Sequence, residues 1–326
     1  MLTVVLGLAG ALVYGAADFF GGLAARRISA LRVTALGAIS GVVLLYLGTF
    51  VIAGEWSTEA VFWGAASGVT GAAAIALLYA CLAIGPMSIL SPLTAVTSAI
   101  VPLTWGLFTG SQLGAIAYPA FALALVAVVL VGFVPAKEAV RPTVAGLTMA
   151  TISGVLIGAF YILIDQTPDD SGLVPLVANR VVNGSIMVAL IVVMAVVTAR
   201  RQVRATDAPL AVLDGTHGAP HPLASDPATP APSRSGLLRA SGAALRGGWR
   251  GGLLLAIGCG VLDATANVIV LVGLRVGDLT VVSVLTALYP AGTILLAALV
   301  LRERIATLQW VGLALALAAS AMLAAA

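Results

Sequence analysis

GDLTVVSVLTALYPAGTILLAALVLRERIATLQWVGLALALAASAML, Gly277 to Leu323, holds two apolar runs divided by a charged turn at Arg302, Glu303 and Arg304. Each run is about 20 residues, long enough for an α-helix to cross the ~30 Å hydrocarbon core of a bilayer. Shifted by 192 positions, the first run falls on GPMSILSPLTAVTSAIVPLTWGLFTGSQL, which starts at Gly85. The shift sets Ser283 on Ser91 and Leu285, Thr286, Ala287 on Leu93, Thr94, Ala95. Without a gap it also sets Gly260 on Gly68, Val261 on Val69 and Ala314 to Leu317 on Ala122 to Leu125. Serine, glycine and threonine matches weigh most, because alanine and leucine recur by composition alone. The chain therefore reads as a duplication.

Working outward, windows of about 19 residues separate apolar stretches near 2–24, 31–53, 60–84, 87–108, 113–134, 143–165, 173–198, 251–274, 279–301 and 307–325. Ten helices is the simplest reading, and the fourth, with Pro92 and Pro102, is expected to be short or irregular. Pro119, Pro175 and Pro290 are further candidate kinks. The self-match pairs stretches three to five with eight to ten, so the repeating unit has five helices. Five is odd, so the second copy enters the membrane upside down, the inverted plan of many carriers. The fold class expected is an all-α membrane protein of ten transmembrane helices in two inverted five-helix repeats, 1–135 and 143–326.

Composition agrees: 61% of residues are apolar, 9% are charged and the mean hydropathy is +1.12. These values lie well outside the soluble range and leave no room for a separate water-soluble domain. The net charge of +3 comes almost entirely from arginine, Lys137 being the only lysine. Such short basic runs between apolar stretches are topology signals, not a nucleic-acid surface. Arginine without lysine, beside much Ala and Gly, suggests a GC-rich bacterial genome and a multi-pass protein of its plasma membrane. The first stretch has no basic segment before it and Arg26 and Arg27 after it, as a retained helix does and a signal peptide does not. Cys81 and Cys259 lie inside apolar stretches with no ligand spacing and read as small hydrophobes.

Residues 200–250 break the pattern with six prolines between Pro209 and Pro232 and few large apolar side chains. They read as a disordered linker with basic ends. His217 and His221 lie within it, and without a helix their spacing defines no metal site. No cofactor is expected.

The Gly277 to Leu323 segment resembles the last two helices of an EamA domain of the drug/metabolite transporter superfamily. Pro290, the Arg302, Glu303, Arg304 loop in place of the usual GER, and Trp310 at the start of the tenth helix carry the resemblance. The segment from Gly85 is a weaker match without the charged loop, and Tyr14 and Gly15 stand where the family's first helix often has Trp and Gly. The resemblance implies two EamA repeats around a central cavity and transport of small metabolites, amino acids, nucleotide-linked sugars or drugs.

Ionisable side chains inside hydrocarbon are costly and so point to function or to pairing. Asp18, Arg180 and Asp263 stand within the first, seventh and eighth stretches, and Asp165 closes the sixth as an expected solvated end. Asn183 follows Arg180, and Asn267 follows Asp263 at i+4, so each helix carries a polar stripe. At about 1.5 Å per residue from the linker side, Asp263 lies roughly 18 Å deep, Arg180 roughly 27 Å and Asp18 roughly 12 Å. A guanidinium can reach Asp263 if the two helices are neighbours, whereas Asp18 is expected at the opposite end of any shared cavity. Two readings stay open for Arg180 and Asp263: a packing pair, or the lining of a polar cavity with Asn183, Asn267 and Tyr14 as substrate contacts. Asp18 is either a packing or interfacial group or a proton-coupling carboxylate. Tyr161, Tyr289 and Trp310 are expected as packing or belt residues.

Carrier transport of a small solute, with lipid bilayer as the surroundings, is the leading function. The alternatives are a structural membrane protein or an enzyme of lipid chemistry, which would need a catalytic cluster within the spans. Orientation is contested. Arg26, Arg27, Arg32, Lys137, Arg141, Arg302 and Arg304 share the linker side, while Glu55, Glu59, Asp165, Asp169, Asp170 and Asp278 face Arg275 on the other. The positive-inside rule makes the linker side cytoplasmic. The family resemblance implies termini inside, which is the opposite.

Overall fold

The computed structural model describes residues 1–25, 27–28, 30–84, 87–110, 114–132, 142–206, 249–302 and 305–325. Among them every regular element is helical: α1 (Leu2–Ala25), α2 (Ala30–Gly48), α3 (Thr58–Ile84), α4 (Met87–Phe108), α5 (Ala117–Gly132) and α6 (Val144–Asp165). A 3-10 turn (Asp169–Ser171) leads to α7 (Val174–Thr206), followed by α8 (Trp249–Val276), α9 (Leu279–Thr286), α10 (Tyr289–Val300) and α11 (Thr307–Ala325). Seven described spans are long and apolar enough to cross a membrane, one of them Leu279–Val300, which joins α9 and α10. Arg32–Gly48, Pro92–Phe108 and Ala117–Gly132 are shorter apolar helices.

The helices turn small residues inward. In α1 the buried positions include Gly7, Gly10, Ala11, Gly15 and Ala17, while Leu2, Val5 and Leu12 are exposed. Lipid is as apolar as leucine, so close backbone packing, not apolar burial, holds such helices together. The pairing has a regular order. α3 packs on α6 and α7, and α8 packs on α1 and α2; α4 lies on α6, and α9 with α10 lies on α1; α5 lies on α11.

Glycines mark the tightest crossings. A Cβ at Gly158 of α6 would stand 2.6 Å from the Val101 Cβ of α4, and one at Gly15 of α1 would stand 2.6 Å from the Tyr289 carbonyl and the Thr293 nitrogen of α10. A Cβ at Gly68 of α3 would stand 2.6 Å from the Asn179 carbonyl of α7. At Gly260 of α8 it would stand 2.3 Å from the Gly37 carbonyl of α2.

Two expectations are corrected. α4 runs unbroken through Pro92 and Pro102, and the interruption falls between α9 and α10. Proline inside a membrane helix is tolerated where neighbours satisfy the freed backbone groups. Pro290 instead sits at the start of α10, where its missing N–H is one that a helix start leaves free. The linker is also narrower than 200–250, since α7 continues through Thr206 and α8 begins at Trp249. Residues 207–248, with His217 and His221, lie outside the described residues.

On the acidic side Arg275, in the last turn of α8, donates to the carbonyl and hydroxyl of Thr167, to Asp169 Oδ1 at 3.1 Å and to Ser171 Oγ at 3.4 Å. These bonds tie the turn between α6 and α7 to the end of α8. The same turn meets the loop before α3, where the Glu55 amide donates to the Asp170 carbonyl at 2.9 Å. Asp165, expected to be solvated, is half-buried at the end of α6.

Candidate functional site

Arg180 lies in the second turn of α7, and Asp263 stands near the middle of α8. The Arg180 Nη2 donates to the Asp263 Oδ2, with side-chain exposures of 12% and 31%. The two helices are bridged by α2, which packs against both. Gly41 of α2 leaves the passage: a Cβ there would lie 3.7 Å from the Arg180 Cδ and 3.6 Å from the Ala264 Cβ. A large side chain at residue 41 would compete with the guanidinium for this space. Asp263 keeps enough exposed surface for water to reach the pair.

The two asparagines diverge. Asn267 is buried and donates through Nδ2 to the Asp263 backbone carbonyl at 2.7 Å, one turn back in its own helix. Asn183 is buried against α3, where a Cβ on Gly71 would lie 3.2 Å from its Nδ2. Asn179, which sequence reasoning passed over, donates to Ser67 Oγ at 2.8 Å, and Ser67 donates to the Gly64 carbonyl at 2.7 Å. Its signal was available: an amide one residue before Arg180 extends the polar stripe along α7.

Tyr14 of α1 packs against the apolar cluster that holds Tyr161 of α6 and lies within electrostatic reach of both Arg180 and Asp18. Asp18, one turn further along α1, is within reach of Tyr161, of Cys259 on α8 and of Tyr289 at the start of α10. The Asp18 residue is exposed. Asp18 forms no ion pair with Arg180, and Tyr14 and Cys259 each lie within electrostatic reach of both. Tyr161 is buried in an apolar core and Tyr289 packs against one, as expected of packing residues, and both lie within electrostatic reach of Asp18. Trp310 is largely exposed, as a belt residue is.

The helical bundle and its internal charge cluster define a multi-pass α-helical membrane protein. Residues 236–325 match the model of the EamA-like transporter family, part of the drug/metabolite transporter superfamily. A solved protein crystal structure matches 98% of this chain and 95% of its own, with a TM-score of 0.65 and 13% sequence identity. At that identity the likeness is one of fold alone. No curated protein sequence matches the chain.

Proposed function

We propose that the chain is a carrier of ten membrane-crossing helices in two inverted repeats, 1–135 and 143–326, moving a small polar or charged metabolite or drug-like solute across the plasma membrane. The observation that carries the transport reading is the Arg180–Asp263 pair with Asp18 beside it. Charges in the membrane interior with water-accessible surface are what a solute path requires and what a packing core avoids. The helix pairing supports the repeats, because exchanging α1 for α6, α2 for α7, α3 for α8, α4 for α9 with α10, and α5 for α11 leaves the most extensive contacts in place. The glycine crossings support the same register: Gly158 meets Val101 as Gly15 meets Thr293, and 101 and 293 are again 192 apart.

Arg180, Asn183, Asp263, Asn267 and Tyr14 line the path in this reading, and Asp18 couples transport to protons. Uptake of candidate metabolites into proteoliposomes tests the reading, with ligands first screened by thermal shift. Saturable flux that disappears in Arg180→Gln supports it; no flux for any ligand that stabilises the protein would return the chain to a structural or lipid-enzyme role. For coupling, a pH gradient is expected to drive uptake by the native protein and not by Asp18→Asn, while exchange between internal and external solute persists. Gradient-driven uptake by Asp18→Asn would remove Asp18 from that role.

The arginine-rich side is cytoplasmic in this proposal. A cysteine at Ser225, with Cys81 and Cys259 replaced by alanine, is expected to resist an impermeant thiol reagent in intact cells and to react once the cells are opened. Ready labelling of intact cells reverses the topology.

A further inference from the structure

We propose that the space in front of Gly71, where α3 faces α7, receives a neutral hydrogen-bond acceptor of the transported solute, a carbonyl or hydroxyl oxygen, and that Gly71 sets the size of what enters. The inference rests on the transport reading and specifies one part of its solute. α3 meets α7 along one face, with Gly64, Gly68 and Gly71 set against Pro175, Asn179 and Asn183. At the first two levels backbone meets backbone: a Cβ on Gly68 would stand 2.6 Å from the Asn179 carbonyl, and one on Gly64 would run into the Pro175 carbonyl. Glycine is needed there for the helices to approach. At the third level the need lapses. A Cβ on Gly71 would have only two atoms of other helices within 4 Å, Asn183 Nδ2 at 3.2 Å and Phe160 Cδ2 of α6 at 4.0 Å.

The amide facing this space has nothing to bond. Asn183 is 6% exposed and makes no side-chain hydrogen bond with any described residue, whereas Asn179, one turn back, donates to Ser67. Among the described residues Thr280 Oγ1 is the single fully enclosed side-chain polar atom without a partner, so the unbonded amide of Asn183 borders open space. A buried amide without a partner is costly, and water or a bound group relieves the cost. Nδ2 is the atom nearest Gly71 and is a donor, so the group it takes is an acceptor. Arg180, on the preceding turn of α7, is already paired with Asp263, so a carboxylate here would lack a free cation and a neutral oxygen is the better occupant. The Phe160 ring supplies an apolar wall. The shift of 192 that sets Gly68 on Gly260 sets Gly71 on Asp263, which puts the opening at the same turn of its repeat as the ion pair.

Gly71→Ala is expected to melt within about 2 °C of the native protein, whereas Gly68→Ala, which forces side chain against backbone, loses stability. In proteoliposomes Gly71→Ala and Asn183→Leu should each raise the half-saturating concentration of a solute carried by the native protein by about tenfold or more, as loss of one buried hydrogen bond does, with less effect on the maximal rate. Gly71→Cys, made together with Cys81→Ala and Cys259→Ala, should react with methyl methanethiosulfonate in the folded protein, and the added methylthio group should block uptake. An opening that holds water alone would leave the half-saturating concentration of Gly71→Ala unchanged, and that result overturns the proposal. So does a Gly71→Cys that the reagent does not reach, or a Gly71→Ala destabilised as far as Gly68→Ala, which would make residue 71 a packing glycine. Saturable Arg180-dependent uptake alongside any of these failures leaves the transport reading standing. No saturable uptake by the native protein removes both.

Discussion

In the proposed carrier, Arg180→Gln and Asp263→Asn are each expected to lower solute flux by on the order of a hundredfold or more while the proteins still fold. Removing one partner of a dry buried ion pair costs about 3–5 kcal/mol, because the other charge is stranded. Here Asp263 keeps 31% of its side-chain surface and Arg180 keeps 12%, so water offsets part of that cost. A loss nearer 1–2 kcal/mol is expected, since solvent-reached pairs contribute far less than dry ones. Flux is affected more because a neutral amide alters the charge that every solute passing the site must meet. The exchanged variant, Arg180→Asp with Asp263→Arg, separates the two roles. It restores the pair and should recover stability without recovering flux. Proteoliposome uptake beside thermal melts makes the comparison, and recovery of both by the exchanged variant would show a packing pair.

The second large effect is expected from a single methyl group. Gly260→Ala should prevent accumulation of folded protein, because its Cβ would lie 2.2 Å from Ser40 Oγ, 2.3 Å from the Gly37 carbonyl and 2.5 Å from the Gly37 Cα. The serine can rotate away, but the Gly37 backbone cannot, so α2 and α8 must part. Forced overpacking commonly costs about 1–3 kcal/mol, and more where backbone must move. Parting these helices also disturbs the α2 passage through which Arg180 reaches Asp263. Gly22 and Gly258 provide the contrast on α1 and α8, since a Cβ at either meets nothing within 4 Å. Alanine there should be neutral or stabilise the helix by up to about 1 kcal/mol. Expression level and melting temperature report the outcome. A Gly260→Ala protein melting like the native one would mean that α2 and α8 are not in contact.

Legibility followed the range of the interactions. The apolar stretches matched the helices to within a few residues at most ends, as at 87–108 for α4 and 307–325 for α11, because a backbone in lipid must satisfy its hydrogen bonds within each segment. Cost alone drew attention to Arg180, Asp263 and Asp18. Their arrangement was another matter. Tyr161 and Tyr289 pack in apolar cores as expected, but a tyrosine in an apolar run carries no sign of which neighbour it faces. The prolines misled in the same way: Pro92 and Pro102 stay within a continuous helix, whereas Pro290 marks a break that Gly15 of another helix packs against.

The sequence by itself determined the solvent, the helical class and the segment boundaries, because transfer into lipid and backbone hydrogen bonding act residue by residue along the chain. Only the tertiary structure decided that α2 lies between α7 and α8, that Gly41 stands beside Arg180, and that Tyr14 packs against the cluster of Tyr161. With lipid as apolar as the side chains, no hydrophobic stripe announces which helix faces face each other. Partners are chosen by close contact at glycines and by the charges that must find one another in the interior.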